Sequence, residues 1–254
     1  MLMIDENDAH TFLPDLKGRS AIVTGGTTGI GRAIAVLLAS YGVKVFICGR
    51  TPEHLEDALQ RIAEVGEGDG IALDLSIPDD VDRFFEAATE FLKEIDISVI
   101  NAAIPADALA DAGESEARYQ IATDFTAYLL CAQEAARRMH AGSDIILIGS
   151  MSAVSTPPGS SLYVAAKAGI EGFVPAFRKE LAEQDIKVGL IEPGFTGADF
   201  QYPDYPPEAQ KKLIAEERML RAEDIAVAVH YMLSQPRRAA VSLMRVEPRR
   251  EREA

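Results

Sequence analysis

Thr24-Gly25-Gly26-Thr27-Thr28-Gly29-Ile30-Gly31 closes an apolar run that begins at Ser20 and leads into a stretch of helical spacing from Arg32 to Leu38. Glycines at a strand-to-helix turn let the backbone come close to an anion, and the helix after the turn aims free N–H groups and its positive dipole end at the same place. The spacing is T-G-x-x-x-G-x-G, which differs from G-x-G-x-x-G, but the context of strand, turn and helix is the one that gives such turns their meaning. The turn is therefore read as a pyrophosphate cradle made by Gly25, Thr27, Thr28, Gly29, Ile30 and Gly31. Three glycines serving only a tight turn is the plainer alternative.

Outward from this turn, short apolar runs alternate with amphipathic stretches. Strands are expected at Ser20 to Thr24, Val43 to Cys48, Gly70 to Leu73, Ile97 to Ile100, Asp144 to Ile148, Lys187 to Ile191 and Val241 to Arg245. Helices are expected at Gly29 to Tyr41, Pro52 to Glu64, Pro78 to Glu94, Glu116 to Met139, Ser161 to Glu183, Pro206 to Arg218 and Ala222 to Ser234. The spacing of Val81, Phe84, Phe85, Ala88 and Leu92 illustrates the helical pattern. Such alternation implies parallel strands joined by right-handed crossovers with helices on both faces. The expected architecture is one α/β domain over residues 16–248, a Rossmann-like doubly wound parallel sheet of about seven strands, with flexible segments at 1–15 and 249–254. Residues 192–218 are too punctuated by proline and glycine for one helix and are read as a lid beyond a strand's carboxyl end, the side on which such sheets bind ligands.

Composition narrows the function. With 254 residues, 48% hydrophobic and 26% charged, the chain reads as an ordinary soluble globular protein. A formal net charge of −15 excludes a phosphate-backbone partner, since nucleic acid needs a basic face. No apolar run approaches the ~18 residues of a membrane span, and residues 1–15 hold acidic side chains where a secretion signal would hold basic ones. A cytoplasmic enzyme without nucleic-acid or membrane partners is expected. Cys48 and Cys131 read as reduced, buried thiols, and His10, His54, His140 and His230 share no ligand spacing, so neither a metal site nor a histidine base is expected.

Candidate chemistry lies in Tyr163-Val164-Ala165-Ala166-Lys167 and in Ser150, at the end of the run Ile145 to Ile148. Tyrosine and lysine at i and i+4 share a helix face. A cation beside a phenol favours the phenolate and moves its pKa down toward the range useful for acid–base catalysis. Ser150 adds a hydroxyl to orient a substrate oxygen. The second expected strand ends Cys48-Gly49-Arg50-Thr51 with no carboxylate where an NAD site would place one. Gly49 leaves room there, and Arg50 offers a planar cation to a 2′-phosphate, so NADP(H) fits better than NAD(H). The alternative is that Arg50 is a surface residue opening the next loop.

Taken in order, these motifs resemble the short-chain dehydrogenase/reductase family over about residues 16 to 248: the Thr24 to Gly31 turn, Asp74, Asn101-Ala102-Ala103, Ser150, Tyr163 with Lys167, and Pro193-Gly194. The resemblance implies that Asp74 and Leu75 border an adenine, that Asn101 braces the sheet near the cofactor beside Ala102 and Ala103, and that Pro193, Gly194 and Thr196 lie near a nicotinamide. It implies reversible hydride transfer between NADP(H) and a small carbonyl/alcohol pair, in homodimers or homotetramers paired through the helices of 116–139 and 161–183. Three departures stand out: Ala103 replaces a glycine, Ala198 replaces a threonine, and Asp124 stands where the family holds a proton-relay asparagine. An ionised aspartate accepts hydrogen bonds but cannot donate. An epimerase or dehydratase using the same site, and a cofactor-binding sensor or scaffold without turnover, are the alternative readings.

Overall fold

The computed structural model describes residues 13–105, 108–201 and 204–250. Residues 1–12 and 251–254, which hold most of the expected flexible ends, lie outside the described residues, as do Asp107 of the loop before residue 116 and Tyr202 and Pro203 of the lid.

The element order is β1 (Ser20–Val23), α1 (Gly29–Ser40), β2 (Lys44–Gly49), α2 (Pro52–Ala63), β3 (Gly68–Ala72), α3 (Pro78–Leu92), β4 (Ile97–Ile100), α4 (Glu114–Ile121), a π turn (Ala122–Thr126), α5 (Ala127–Arg138), β5 (Asp144–Ile148), α6 (Ser152–Ser155), α7 (Ser161–Leu181), β6 (Lys187–Pro193), α8 (Pro207–Ala215), α9 (Ala222–Leu233) and β7 (Leu243–Val246). The seven strands are all parallel in the order β3-β2-β1-β4-β5-β6-β7. The order reverses between β1 and β4, so a crevice opens at their carboxyl ends.

Inner strands of such a sheet are covered on both faces, which is why they read as unbroken apolar runs. Successive side chains alternate between two layers. Ile22, Ile145 and Leu147 face the layer of α3, α5 and α7, with Phe84, Phe85, Tyr128, Ile170 and Val174. Val23, Ile146 and Ile148 face the layer of α1, α2 and α9, with Ile34, Leu38, Ile62, Ile225 and Val229. Phe84 and Phe85 are fully buried edge to face at 5.5 Å, each contributing roughly 1.5–3 kcal/mol by burial.

The amino ends of the strands are held by charge. Buried Asp144 opens β5 and pairs with Arg19 at 2.8 Å, Arg237 at 3.2 Å and Lys187 at 3.4 Å. This cluster lies at the opposite end of the sheet from the crevice.

Three sequence expectations change. The helix expected over 116–139 starts at Glu114 and is broken by the π turn, whose extra residue rotates α5 against α4. The strand expected from Gly70 begins at Gly68, because Gly68 pairs with Val45 although it offers no apolar side chain. The tail expected to be solvated from residue 249 is anchored at its start: Arg249 pairs with Glu217, and the Arg250 N–H donates to the Glu217 carbonyl at 3.0 Å. On α7, Ala165, Ala168, Gly172 and Ala176 stay exposed along one stripe. Among the described residues no helix is long and apolar enough to cross a membrane, and no cluster of three His, Cys, Asp or Glu forms a metal site.

Candidate active site

The glycine turn sits over the end of β1 and is bolted to β4. Asn101, just beyond β4, donates from Nδ2 to the carbonyls of Thr24 and Gly25 at 3.1 and 3.2 Å. The Thr24 hydroxyl oxygen accepts from the Asn101 and Ala102 N–H groups at 2.8 and 3.1 Å. Gly25 has φ +63°, and a Cβ on Gly31 would lie 2.0 Å from the Gly25 carbonyl oxygen, so neither position admits a side chain. Gly29, Ile30 and Gly31 open α1, which carries no acidic side chain in its first turn, and Thr28 at its N-cap makes no side-chain capping bond. The free N–H groups of this helix end therefore face the crevice without an anion of the protein's own.

At the end of β2, a Cβ on Gly49 would meet the Thr27 hydroxyl at 2.3 Å. The glycine makes room for Thr27 of the turn, a correction to its reading as space for a ligand. Arg50 is exposed and donates from Nη1 to the Tyr119 hydroxyl at 2.8 Å. Tyr119 donates to Asp74 Oδ2, also at 2.8 Å. For Asp74, partial burial pushes the carboxyl up, but bonds from Ser76 and Tyr119 outweigh it and hold it below its ordinary value. Leu75 is buried, with its side chain in the apolar layer.

Ser150 follows β5 and is clamped on both sides by β6: the Gly149 N–H donates to the Ile191 carbonyl at 2.7 Å and the Met151 N–H to the Pro193 carbonyl at 2.9 Å. Its hydroxyl accepts from the Ser152 N–H at 3.1 Å. Tyr163 and Lys167 lie one turn apart on α7, as their spacing predicts. The Lys167 ammonium is buried and donates to the Tyr128 hydroxyl at 2.8 Å and to the Ile148 carbonyl at 2.9 Å, while lying 5.6 Å from the Tyr163 ring centre. Burial lowers its pKa to about 8, against the upward pull of Asp124.

The expected lowering of the Tyr163 pKa by Lys167 does not occur. Burial drives the Tyr163 phenol above its ordinary value, with Asp124 adding to the rise and a hydrogen bond with Ser150 opposing it. Tyr163 is partly exposed and Tyr128 wholly enclosed, and burial holds both phenols above their ordinary value. The ammonium spends its nearest contacts on Tyr128 and Ile148.

Asp124 is fully buried in the π turn. It accepts from the Ile104 N–H at 2.9 Å and from Gln120. Burial raises its pKa to about 6, and Lys167 and these donors restrain the rise. Cys48 and Cys131 are buried free thiols held well above their ordinary range by burial, which leaves them unreactive.

The lid begins where β6 ends. The Gly194 N–H donates to the Val246 carbonyl at 2.7 Å, and the Thr196 hydroxyl donates to the Gly194 carbonyl at 3.0 Å. Phe200 sets its ring 5.3 Å from that of Tyr163 and covers it. Ser150, Tyr163, Lys167 and Asp124 are thus gathered on one side of the crevice, and the glycine turn, Arg50 and Asp74 on the other. Tyr119, Gln120 and Tyr128 are the partners that the sequence did not single out. The spacing of Gln120, Asp124 and Tyr128 at i, i+4 and i+8 was the signal available for two of them.

Residues 19–208 match the short chain dehydrogenase family. The chain is 32% identical to carbonyl reductase family member 4 of Danio rerio, over 86% of this chain and 92% of that protein. It is 30% identical to a 3-oxoacyl-[acyl-carrier-protein] reductase of Synechocystis sp., over 89% of this chain and 94% of that one. Its fold superposes with a TM-score of 0.83 on a short chain dehydrogenase of Burkholderia cenocepacia solved in complex with NADP, at 28% identity, covering 92% of this chain and 98% of that one.

Proposed function

This chain belongs to the short-chain dehydrogenase/reductase family, and from that membership we propose that it interconverts a carbonyl and an alcohol with NADP(H) as its cofactor. The observation that carries the proposal is the gathering of Ser150, Tyr163 and buried Lys167 across the crevice from an anion cradle. The NADP complex of the Burkholderia cenocepacia relative supports the cofactor.

The residues present suit that cofactor. A turn whose Gly25 and Gly31 exclude a Cβ and a helix end free of acidic side chains fit a pyrophosphate, which Thr27, Thr28, Gly29, Ile30 and Gly31 would hold beside Gly25. Arg50, with no acid at the end of β2, fits a 2′-phosphate. Asp74 and the Leu75 backbone would border the adenine. Asn101, Ala102, Ala103, Pro193, Gly194 and Thr196 would line the remainder toward the nicotinamide. Two of the three N–H bonds of Lys167 are taken by Tyr128 and Ile148, and the third is assigned to a ribose hydroxyl. When bound, the cofactor supplies or accepts the hydride.

In reduction, Ser150 donates a hydrogen bond to the substrate oxygen and Tyr163 delivers its proton to it. A phenol held high by burial is still a far stronger acid than a newly formed alcohol, since even water titrates near ~15.7. In oxidation Tyr163 takes that proton back, and the positive charge of Lys167 offsets the phenolate. Burial lowers the Lys167 pKa and Asp124 pulls it back up, and together they set the pH range in which that ammonium exists. Phe200 over Tyr163, with Phe195 and Tyr205 stacked edge-on in the same lid, favours a moderately apolar, neutral carbonyl. A second copy of the chain is placed against the exposed small-residue stripe of α7, giving dimers or tetramers.

The test is consumption of NADPH over aldehydes, ketones, keto acids and sugars, with NADH in parallel. Stoichiometric cofactor binding with no turnover on any of them would replace the enzyme by a sensor or scaffold, and product formed without net NADPH loss would make it an epimerase or dehydratase. Phe200→Ala is expected to raise KM for apolar ketones by roughly 3- to 10-fold, the value of an aromatic contact. An unchanged KM would remove Phe200 from the substrate wall. Asp124→Asn removes the anion that holds the Lys167 proton, so the basic limb of the kcat/KM profile is expected to move down from about 8 by roughly half a pH unit or more. A limb that stays put would show that Lys167 does not set it.

A further inference from the structure

Three side chains, two from loops and one from a helix, meet over the crevice. Arg50 is the residue after β2, Asp74 lies just past β3, and Tyr119 sits on α4, which comes after β4. Because β1 lies between β2 and β4 in the sheet, Tyr119 must reach across the end of β1, above the glycine turn, to meet the other two. A phenol has one proton, which fixes the direction of the chain of bonds: Tyr119 gives its proton to Asp74 Oδ2 at 2.8 Å and receives one from Arg50 Nη1 at 2.8 Å. Among the described residues, Nε and Nη2 of Arg50 make no hydrogen bond.

We propose that Tyr119 is a positioning residue for cofactor selection: with Asp74 as anchor it forms a clasp across the end of β1 that holds the Arg50 guanidinium where a nucleotide 2′-phosphate is bound. The clasp rests on the assignment of NADP(H) as the cofactor. An exposed arginine loses several rotors when it binds a phosphate, and a guanidinium already pinned at one corner loses fewer. Its free N–H groups remain available to the phosphate, while Asp74, engaged by Tyr119 and by the Ser76 N–H at 3.0 Å, is kept from pairing with Arg50 directly. The phenol thus separates a carboxylate from the guanidinium it would otherwise neutralise.

The experiment is equilibrium binding of NADPH and of NADH, by fluorescence titration, to the wild-type protein, Tyr119→Phe and Arg50→Gln. Tyr119→Phe keeps the ring and deletes both bonds, and is expected to weaken NADPH by roughly 5- to 10-fold, within the net range of one ordinary hydrogen bond, and NADH by less than about 2-fold. Equal weakening of both cofactors would make the ring a simple wall, and no weakening of either would make the clasp idle. Either result overturns the proposal. Arg50→Gln distinguishes its failure from that of the underlying cofactor assignment. If Arg50→Gln lowers the preference for NADPH and Tyr119→Phe does not, the clasp alone fails. If Arg50→Gln leaves the preference unchanged, the 2′-phosphate assignment fails with it. Thermal melts of both variants separate either outcome from misfolding.

Discussion

Replacing Tyr163 with phenylalanine is expected to lower kcat by roughly 10²- to 10⁴-fold, the range lost with a general acid, while NADPH binding stays within about 2-fold. The variant removes one oxygen and nothing else of substance. The ring keeps its contact with Phe200, and the hydroxyl lost was bonded to Ser150. Stability is therefore expected to change by less than about 1 kcal/mol, or 2–4 °C in melting temperature. Lys167 keeps both of its hydrogen-bond partners, since neither is Tyr163. A large kcat loss with an unaltered melt and unaltered cofactor affinity locates the defect in proton transfer. Should Tyr163→Phe retain more than about a tenth of wild-type kcat, another group supplies the proton. Ser150, the hydroxyl nearest the same oxygen, would then be the first candidate.

The features legible in the chain and those hidden from it divide along physical lines. Inner parallel strands such as Asp144–Ile148 are covered on both faces, so burial shows directly as an apolar run. The glycine turn was equally legible, because Gly25 and Gly31 answer to a local backbone shape. The pairing of Tyr163 and Lys167 comes from helix geometry alone. The π turn was not legible: shifting a hydrogen bond by one residue leaves the composition of 114–138 unchanged, and only the burial of Asp124 inside that turn reveals it. Nor was the true partner of Lys167. Tyr128 is 39 residues away and meets Lys167 only because α5 and α7 lie on the same face of the sheet. The expected downward shift of the Tyr163 pKa failed for a related reason. Spacing says which groups are neighbours, whereas desolvation depends on everything that surrounds them, here including the lid residue Phe200.

Lys167→Met is expected to cost roughly 10²-fold or more in kcat/KM and to change the pH dependence of stability in a direction that can be worked out beforehand. Methionine fills a similar space, so the defect is one of charge and hydrogen bonding. The Tyr128 hydroxyl keeps its own bond to the Ile148 carbonyl at 3.0 Å, and Asp124 keeps the Ile104 N–H and Gln120. Lys167 has a folded pKa of about 8 against an ordinary 10.5, because burial disfavours its charge. Between those values the unfolded chain holds a proton that the folded protein has released, so this group makes stability rise with pH from about 8 to about 10.5. Below about 8 that contribution is gone, because both states are protonated and the fold bears a buried charge. One proton corresponds to a slope of at most ~1.4 kcal/mol per pH unit. Denaturant titrations of the wild type and of Lys167→Met at pH 8, 9 and 10 should diverge, with the wild type gaining on the variant as pH rises. Parallel curves would mean that Lys167 keeps its proton through this range in the folded state. In the variant Asp124 also loses the cation that restrains it, so its pKa climbs further above about 6 and it takes up a proton nearer neutrality. That uptake limits the cost of leaving the carboxylate alone in the interior, and the large loss in Lys167→Met therefore falls on turnover while the fold is retained.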